Sequence, residues 1–192
     1  LLYKTLKYLN ANVSYYIPVR TEEGHGLNRA AIVRLISAKQ AKLIITVDCG
    51  VSNDAEIKLA ENFGTNVIIT DHHEPQKEIP PAYAIINPKM PEKNYNIEYL
   101  AGVGVAYKLA VALLEIKNKS EFTQEILYLV AIGTIADVVP LIGENRTFVT
   151  EGLKLISQKR PPGLINLLEK GGYKSLQNIT ADMVAFGIAP RI

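Results

Sequence analysis

The stretch "VIITDHHEP", residues 67–75, sets Asp71, His72 and His73 directly behind apolar and β-branched residues, and places two of the chain's three histidines side by side. A second acid, Asp48, follows the similar run "LIITV". Carboxylate oxygens and imidazole nitrogens without thiolates suit a divalent cation such as Mn²⁺ or Mg²⁺, with Zn²⁺ as a further option. Two or three such ligands leave coordination positions open. A cation held that way lowers the pKa of a bound water and holds phosphoryl oxygens, the arrangement of two-metal phosphoester hydrolysis. The plain alternative is that both acids form turns after strands and that the histidines lie in a solvated loop.

A third acid, Asp137, stands inside the apolar stretch "AIGTIADVVPL", where a buried and uncompensated carboxylate is costly. A metal ion, a helix N-terminus or a hydrogen-bond network would each compensate it.

Elements must carry these residues to one place. "LLYKTLKYLN" spaces Leu1, Leu2, Leu6 and Leu9 as a helix does, and "NVSYYIPV" reads as a short strand ending at Pro18. After the loop "RTEEGHGLN", Asn28 caps a helix that ends near "SAKQA". "KLIITV" and "NVIIT" are unbroken apolar runs, expected as buried strands, and between them Ser52 caps a helix, "DAEIKLAENFG", closed by Gly64. Strand, helix and strand at this spacing form a βαβ unit of a parallel sheet, in which ligands collect at the carboxyl ends of the strands. "AYAIINP" is a further strand. Beyond it the pattern turns helical, through "AGVGVAYKLAVALLEI", "TQEILYLVAIGTIAD", "RTFVTEGLKLISQK" and "PPGLINLLEKGG". The expected fold is α/β: a parallel β-sheet with flanking helices over residues 1–100, followed by a helical segment over 101–192.

Composition narrows the field less. The 192 residues are 48% apolar and 21% charged, as in a globular protein, and no apolar run nears the length of a membrane span. A single cysteine, Cys49, excludes an internal disulfide and is compatible with a cytoplasmic setting. Cys49 has no base partner in view, so it reads as a strand-end core residue rather than a nucleophile. The net charge of +2 does not by itself mark a nucleic-acid binder. His25, between two glycines, is expected to be exposed and non-ligating, and the ten tyrosines are chiefly packing residues. Gly102 and Gly104, at a helix start, would let main-chain N–H groups approach a phosphate, or else let helices pack closely.

In order and spacing, "TVDCG", "TDHHEP", "AGVGVAYK", "GTIADVVPL" and "FGIAPRI" resemble the motifs of the DHH phosphoesterase superfamily, and most closely its bacterial single-strand-specific 5′ to 3′ exonucleases of DNA repair and recombination. The resemblance covers essentially the whole chain. It implies two manganese (or magnesium) ions, with Asp48 bridging them and His72 and Asp137 as further ligands. It also implies that Asp71 orients the site, that His73 faces the scissile phosphate, and that Arg20 and Arg191 hold the strand. Arg20 has an alternative as a loop arginine paired with Glu22 or Glu23. The implied substrate is single-stranded DNA, with a single-strand-binding protein or a helicase as partner and no membrane. The superfamily's first, aspartate-rich motif would lie upstream of Leu1, and a DNA-gripping domain beyond Ile192. The chain is therefore expected to be a central fragment, catalytically incomplete alone. Relatives that cleave short oligonucleotides, cyclic dinucleotides or pyrophosphate, and relatives that bind nucleic acid without catalysis, are the competing expectations.

Overall fold

The computed structural model describes residues 1–24, 26–90, 97, 99–174 and 176–192, with Arg20 described by its backbone. The chain forms two compact units: a sheet unit, Ser14–Glu98, and a helical unit, Leu1–Val13 with Tyr99–Ile192.

Three parallel strands in the order β1-β2-β3 make the sheet: β1 (Leu43–Val47), β2 (Asn66–Thr70) and β3 (Ala84–Ile86). Val47 pairs with Thr70, and Thr70 with Ile86, so the carboxyl ends of all three strands are level. Ile44, Val67 and Ile69 of the strands bury themselves against Ile32 of α3 (Arg29–Lys39) and Ile57 and Ala60 of α4 (Asp54–Asn62). Asn28 caps α3 as expected, its side-chain oxygen accepting from Ala31 N–H at 2.8 Å. Gly64 takes φ +71 after α4, the left-handed turn that glycine adopts without strain. The N-cap of α4 is Asn53 rather than Ser52, and no side chain caps it; the Asn53 amide donates to Leu27 O at 3.2 Å instead.

Two local expectations fail. Residues 11–19 form no strand, although Tyr15, Ile17 and Val19 show the expected alternation, all exposed. Side-chain alternation does not supply a ladder, and no described strand pairs with them. The loop after them contains a helical turn, α2 (Arg20–Glu23), where Glu23 folds back to accept from Val19 N–H at 2.8 Å and from the Tyr16 hydroxyl.

The helical unit comprises α1 (Leu2–Tyr8), α5 (Gly102–Ile116), α6 (Thr123–Ala136), α7 (Gly143–Lys159) and α8 (Pro162–Lys170). Helix α6 buries residues on most of its circumference, among them Ile126, Val130 and Ile135, which makes it the central helix. Gly152 of α7 lies so close to Ala131 that a Cβ would collide there, and a Cβ on Gly133 would fall 2.7 Å from Val103. Asn145, buried at 1% exposure, donates through Nδ2 to Pro140 O at 3.0 Å and to Tyr99 O, tying the α6–α7 connection to the start of α5. Beyond α8 lies a π-helical turn, Met183–Ile188, which helical periodicity did not announce, followed by a 3-10 turn, Ala189–Arg191. No described helix is long and apolar enough to cross a membrane.

Candidate metal centre

Because the strand ends are level, the residues that follow them, Asp48, Asp71 and Asn87, leave the sheet side by side. The ladder runs one bond beyond the strands, with Asp48 N–H donating to Thr70 O at 2.9 Å and Asp71 N–H to Ile86 O at 3.1 Å. The chain then turns sharply after β1. Asp48 takes φ +64, in a left-handed region that aspartate tolerates better than most residues, and Gly50 takes φ +118. A Cβ on Gly50 would lie 2.9 Å from Thr46 Oγ1 and 3.2 Å from Ile69, so this turn needs glycine on both counts. Two threonine hydroxyls brace it: Thr46 donates to Cys49 O at 2.6 Å, and Thr70 to Thr46 O at 2.6 Å.

Asp71, 1% exposed, is the hub. Its Oδ2 accepts from Val51 N–H at 3.0 Å, and its Oδ1 from the N–H groups of His72 at 2.8 Å and His73 at 3.2 Å. The same Oδ1 lies 2.7 Å from His73 Nδ1. Burial pushes the Asp71 carboxyl up, but the bonds from Val51, His73 and His72 outweigh it and hold the group below the ordinary carboxylate value. Asp71 is thus ionised and fixes the turn at residues 71–73 and the turn at Val51 together.

The consequence for the histidines is direction. With a carboxylate at Nδ1, the His73 proton sits there and Nε2 is left for whatever lies at the rim. His72 Nε2 lies 3.0 Å from Asp48 Oδ1, with the imidazole 12% exposed and the carboxylate 50%. The two rings stand 4.6 Å apart, tilted by 59°. One ligand atom each from Asp48, His72 and His73 falls within 4.8 Å of the others. A carboxylate oxygen and two imidazole nitrogens at that spacing, backed by an ionised acid, fit a divalent cation of the Mn²⁺ type. His73, expected to face phosphate, therefore stands close enough to be a ligand as well.

The remaining residues are placed separately. Asp137 belongs to the helical unit and is exposed at the C-cap of α6, not buried in an apolar stretch as expected. The helical pattern ends one residue earlier, so Asp137 escapes the core. The C-terminal end of a helix dipole disfavours a carboxylate by about 0.3–1 kcal/mol, and a cation relieves that. The next residue, Val138, has φ +57 and is 87% exposed.

Arg20 opens α2, and His25 lies outside the described residues. Gly102 opens α5, whereas Gly104 N–H donates to Ala101 O at 2.8 Å and its missing Cβ makes room for Leu100. Arg191 Nη1 donates to Phe186 O and Gly187 O, each at 3.0 Å, which satisfies carbonyls of the π-helical turn. Burial, then Asp71 and Asp48, push the Cys49 thiol up to about 11, which leaves no thiolate for nucleophilic work at neutral pH.

Sequence reasoning missed Asn87 and Thr46. Asn87, 3% exposed, donates through Nδ2 to His73 O at 2.9 Å. The rule that singled out Asp48 and Asp71, position just past a strand's last apolar residue, applies equally to Asn87 in "AIINP". Thr46 gave no signal, because a threonine inside a strand is ordinary.

Residues 1–134 match the DHH family, N-terminal domain. The chain is 46% identical over 188 residues to the single-stranded-DNA-specific exonuclease RecJ of Bacillus subtilis (strain 168), covering 98% of this chain and 23% of that protein. Against the RecJ of Escherichia coli (strain K12) the identity is 39%, covering 95% of this chain and 33% of that protein. The chain thus spans between about a quarter and a third of the curated relatives it matches. A crystal structure of exonuclease RecJ bound to manganese superimposes with a TM-score of 0.85 at 39% identity, covering 98% of this chain and 46% of that one. RecJ from Thermus thermophilus in complex with Mn²⁺ gives a TM-score of 0.76 at 38% identity, covering 98% of this chain and 26% of that one.

Proposed function

The chain belongs to the DHH family, and on that premise we propose that it is part of a metal-dependent, single-strand-specific 5′ to 3′ exonuclease that hydrolyses DNA phosphodiesters. The observation that carries the reading is the cluster of Asp48, His72 and His73 within 4.8 Å, with Asp71 bound behind it. Its donor types suit the manganese named for the solved relatives, and on the family resemblance the complete enzyme takes two such ions, or magnesium. When bound, the cation supplies Lewis-acid activation of water and charge for the phosphoryl oxygens.

The protein's own residues divide the remaining work. Asp48 and His72 hold metal, and Asp137 is assigned as a further ligand on the family resemblance. Asp71, 2.7 Å from His73 Nδ1, keeps His73 in one orientation, with Nε2 left to face a phosphate oxygen as charge develops. Arg20 is assigned to the strand's phosphates, an arginine's planar fork being suited to them. Arg191 has donors other than Nη1 for the same purpose, and Gly102 offers main-chain N–H at a helix start. The setting is cytoplasmic, with single-stranded DNA as substrate and a single-strand-binding protein or a helicase as partner.

The test is Asp48→Ala in the full-length protein. It abolishes calorimetric Mn²⁺ binding and cleavage of a 5′-phosphorylated strand while the circular dichroism spectrum is kept. Saturable Mn²⁺ binding by that variant would refute the metal assignment. Faster turnover of a dinucleotide than of a long strand by the unaltered protein would shift the substrate to short oligonucleotides.

A further inference from the structure

Strand β2 ends at Thr70, and its ladder with β3 stops after the bond from Asp71 N–H to Ile86 O. From there the chain leaves the sheet to bring two imidazoles to the rim. Asn87 takes over from the ladder with its side chain, Nδ2 donating to His73 O and Oδ1 accepting from Lys89 N–H, each at 2.9 Å. A carbonyl faces one end of the amide and an N–H the other, which fixes its orientation. Next to this bond, Lys89 Nζ lies 3.1 Å from Glu74 Oε1, so residues 87–89 grip residues 73–74 twice.

The His73 side chain is 59% exposed, too open for packing to hold it. Its direction rests on Asp71 at Nδ1 and on its own peptide group, and that peptide group is held by Asn87. We infer that Asn87 is a positioning residue of the metal centre, acting through the main chain of His73 to keep the aim of both imidazoles. The inference rests on the proposed reading of His72 and His73 as metal- and phosphate-facing groups.

The two halves of the Asn87 amide separate this role from a merely structural one. The bond from Lys89 N–H is a local turn that any side-chain oxygen at position 87 can make, whereas the bond to His73 O requires a donor. Asn87→Asp keeps the acceptor and the shape and loses the donor.

In the full-length protein, Asn87→Asp lowers turnover of a 5′-phosphorylated single strand about tenfold, as loss of an outer partner of a metal site does. Mn²⁺ affinity falls by a similar factor in calorimetry, although an added carboxylate alone would strengthen it. In the metal-free protein, amide hydrogen exchange quickens at residues 72–74 while β2 keeps its protection. Unchanged turnover and affinity, or exchange that quickens throughout the sheet unit, would overturn the inference. Asp48→Ala run alongside distinguishes the two levels. If it still binds Mn²⁺, the underlying metal reading fails; if it loses Mn²⁺ while Asn87→Asp behaves as wild type, only the role of Asn87 fails.

Discussion

At the scale of single residues, Asp71 shows how much one side chain can fix. Its four bonds link two turns, so Asp71→Ala leaves the N–H groups of Val51, His72 and His73 without their acceptor. The expected loss is about 3 kcal/mol in urea unfolding of the metal-free protein. Because the folded carboxyl lies below its ordinary value, its stabilisation is complete above the unfolded value of about 3.9 and disappears as pH falls through the folded one. The urea midpoint of the unaltered protein therefore drops below about pH 4 more steeply than that of Asp71→Asn, which starts lower at neutral pH and changes less. Cys49, beside the same acids, gives a second measurement. With its thiol pushed up to about 11, alkylation by iodoacetamide at pH 8 is about two orders of magnitude slower than for an unperturbed cysteine of pKa about 8.5.

At the scale of elements, the helical unit depends on close approach and on one buried amide. Gly152→Ala puts a methyl group against Ala131 and costs about 1–3 kcal/mol through overpacking, measurable as a lower thermal midpoint. Asn145→Ala removes both bonds that tie the start of α7 to Pro140 and Tyr99 and destabilises by about 2 kcal/mol. The α6–α7 connection also carries Val138 in a left-handed conformation, which a β-branched residue holds only when its neighbours impose it. What the sequence disclosed at this scale follows from how much context each element needs. β1 and β2 were legible because short unbroken apolar, β-branched runs read as strands, although β1 is buried on one face only, with Leu43 and Val47 exposed, and α3 because Asn28 is a strong cap. The expected strand at 12–19 failed because pairing depends on a neighbour that alternation cannot reveal. The π-helical turn and the four-residue α2 are too short to carry a period. Asp137 was misplaced by a single residue at a helix end, enough to exchange a buried carboxylate for an exposed one. In the site itself, acids and histidines at strand ends stood out by type, while Asn87 acts through a main-chain carbonyl and so has no chemical signature in its residue type.

At the scale of the whole molecule, the sheet unit and the helical unit each have a core of their own. A cation that binds Asp48, His72 and His73 stabilises the folded sheet unit by mass action, about 2.7 kcal/mol at a hundredfold excess over its Kd. Mn²⁺ should raise the thermal midpoint, and a chelator should return it; an unmoved midpoint would argue against the centre. The bond from Val51 N–H to Asp71 adds a kinetic consequence. It spans twenty residues and exists only after β1 and β2 have paired across α4. The ligands are therefore scattered until that long-range closure is complete, and the ion has little to grip in the folding transition state. Mn²⁺ should then leave the refolding rate nearly unchanged in stopped-flow measurements and appear almost wholly as slower unfolding, which makes the cation a lock fitted after assembly rather than a seed for it.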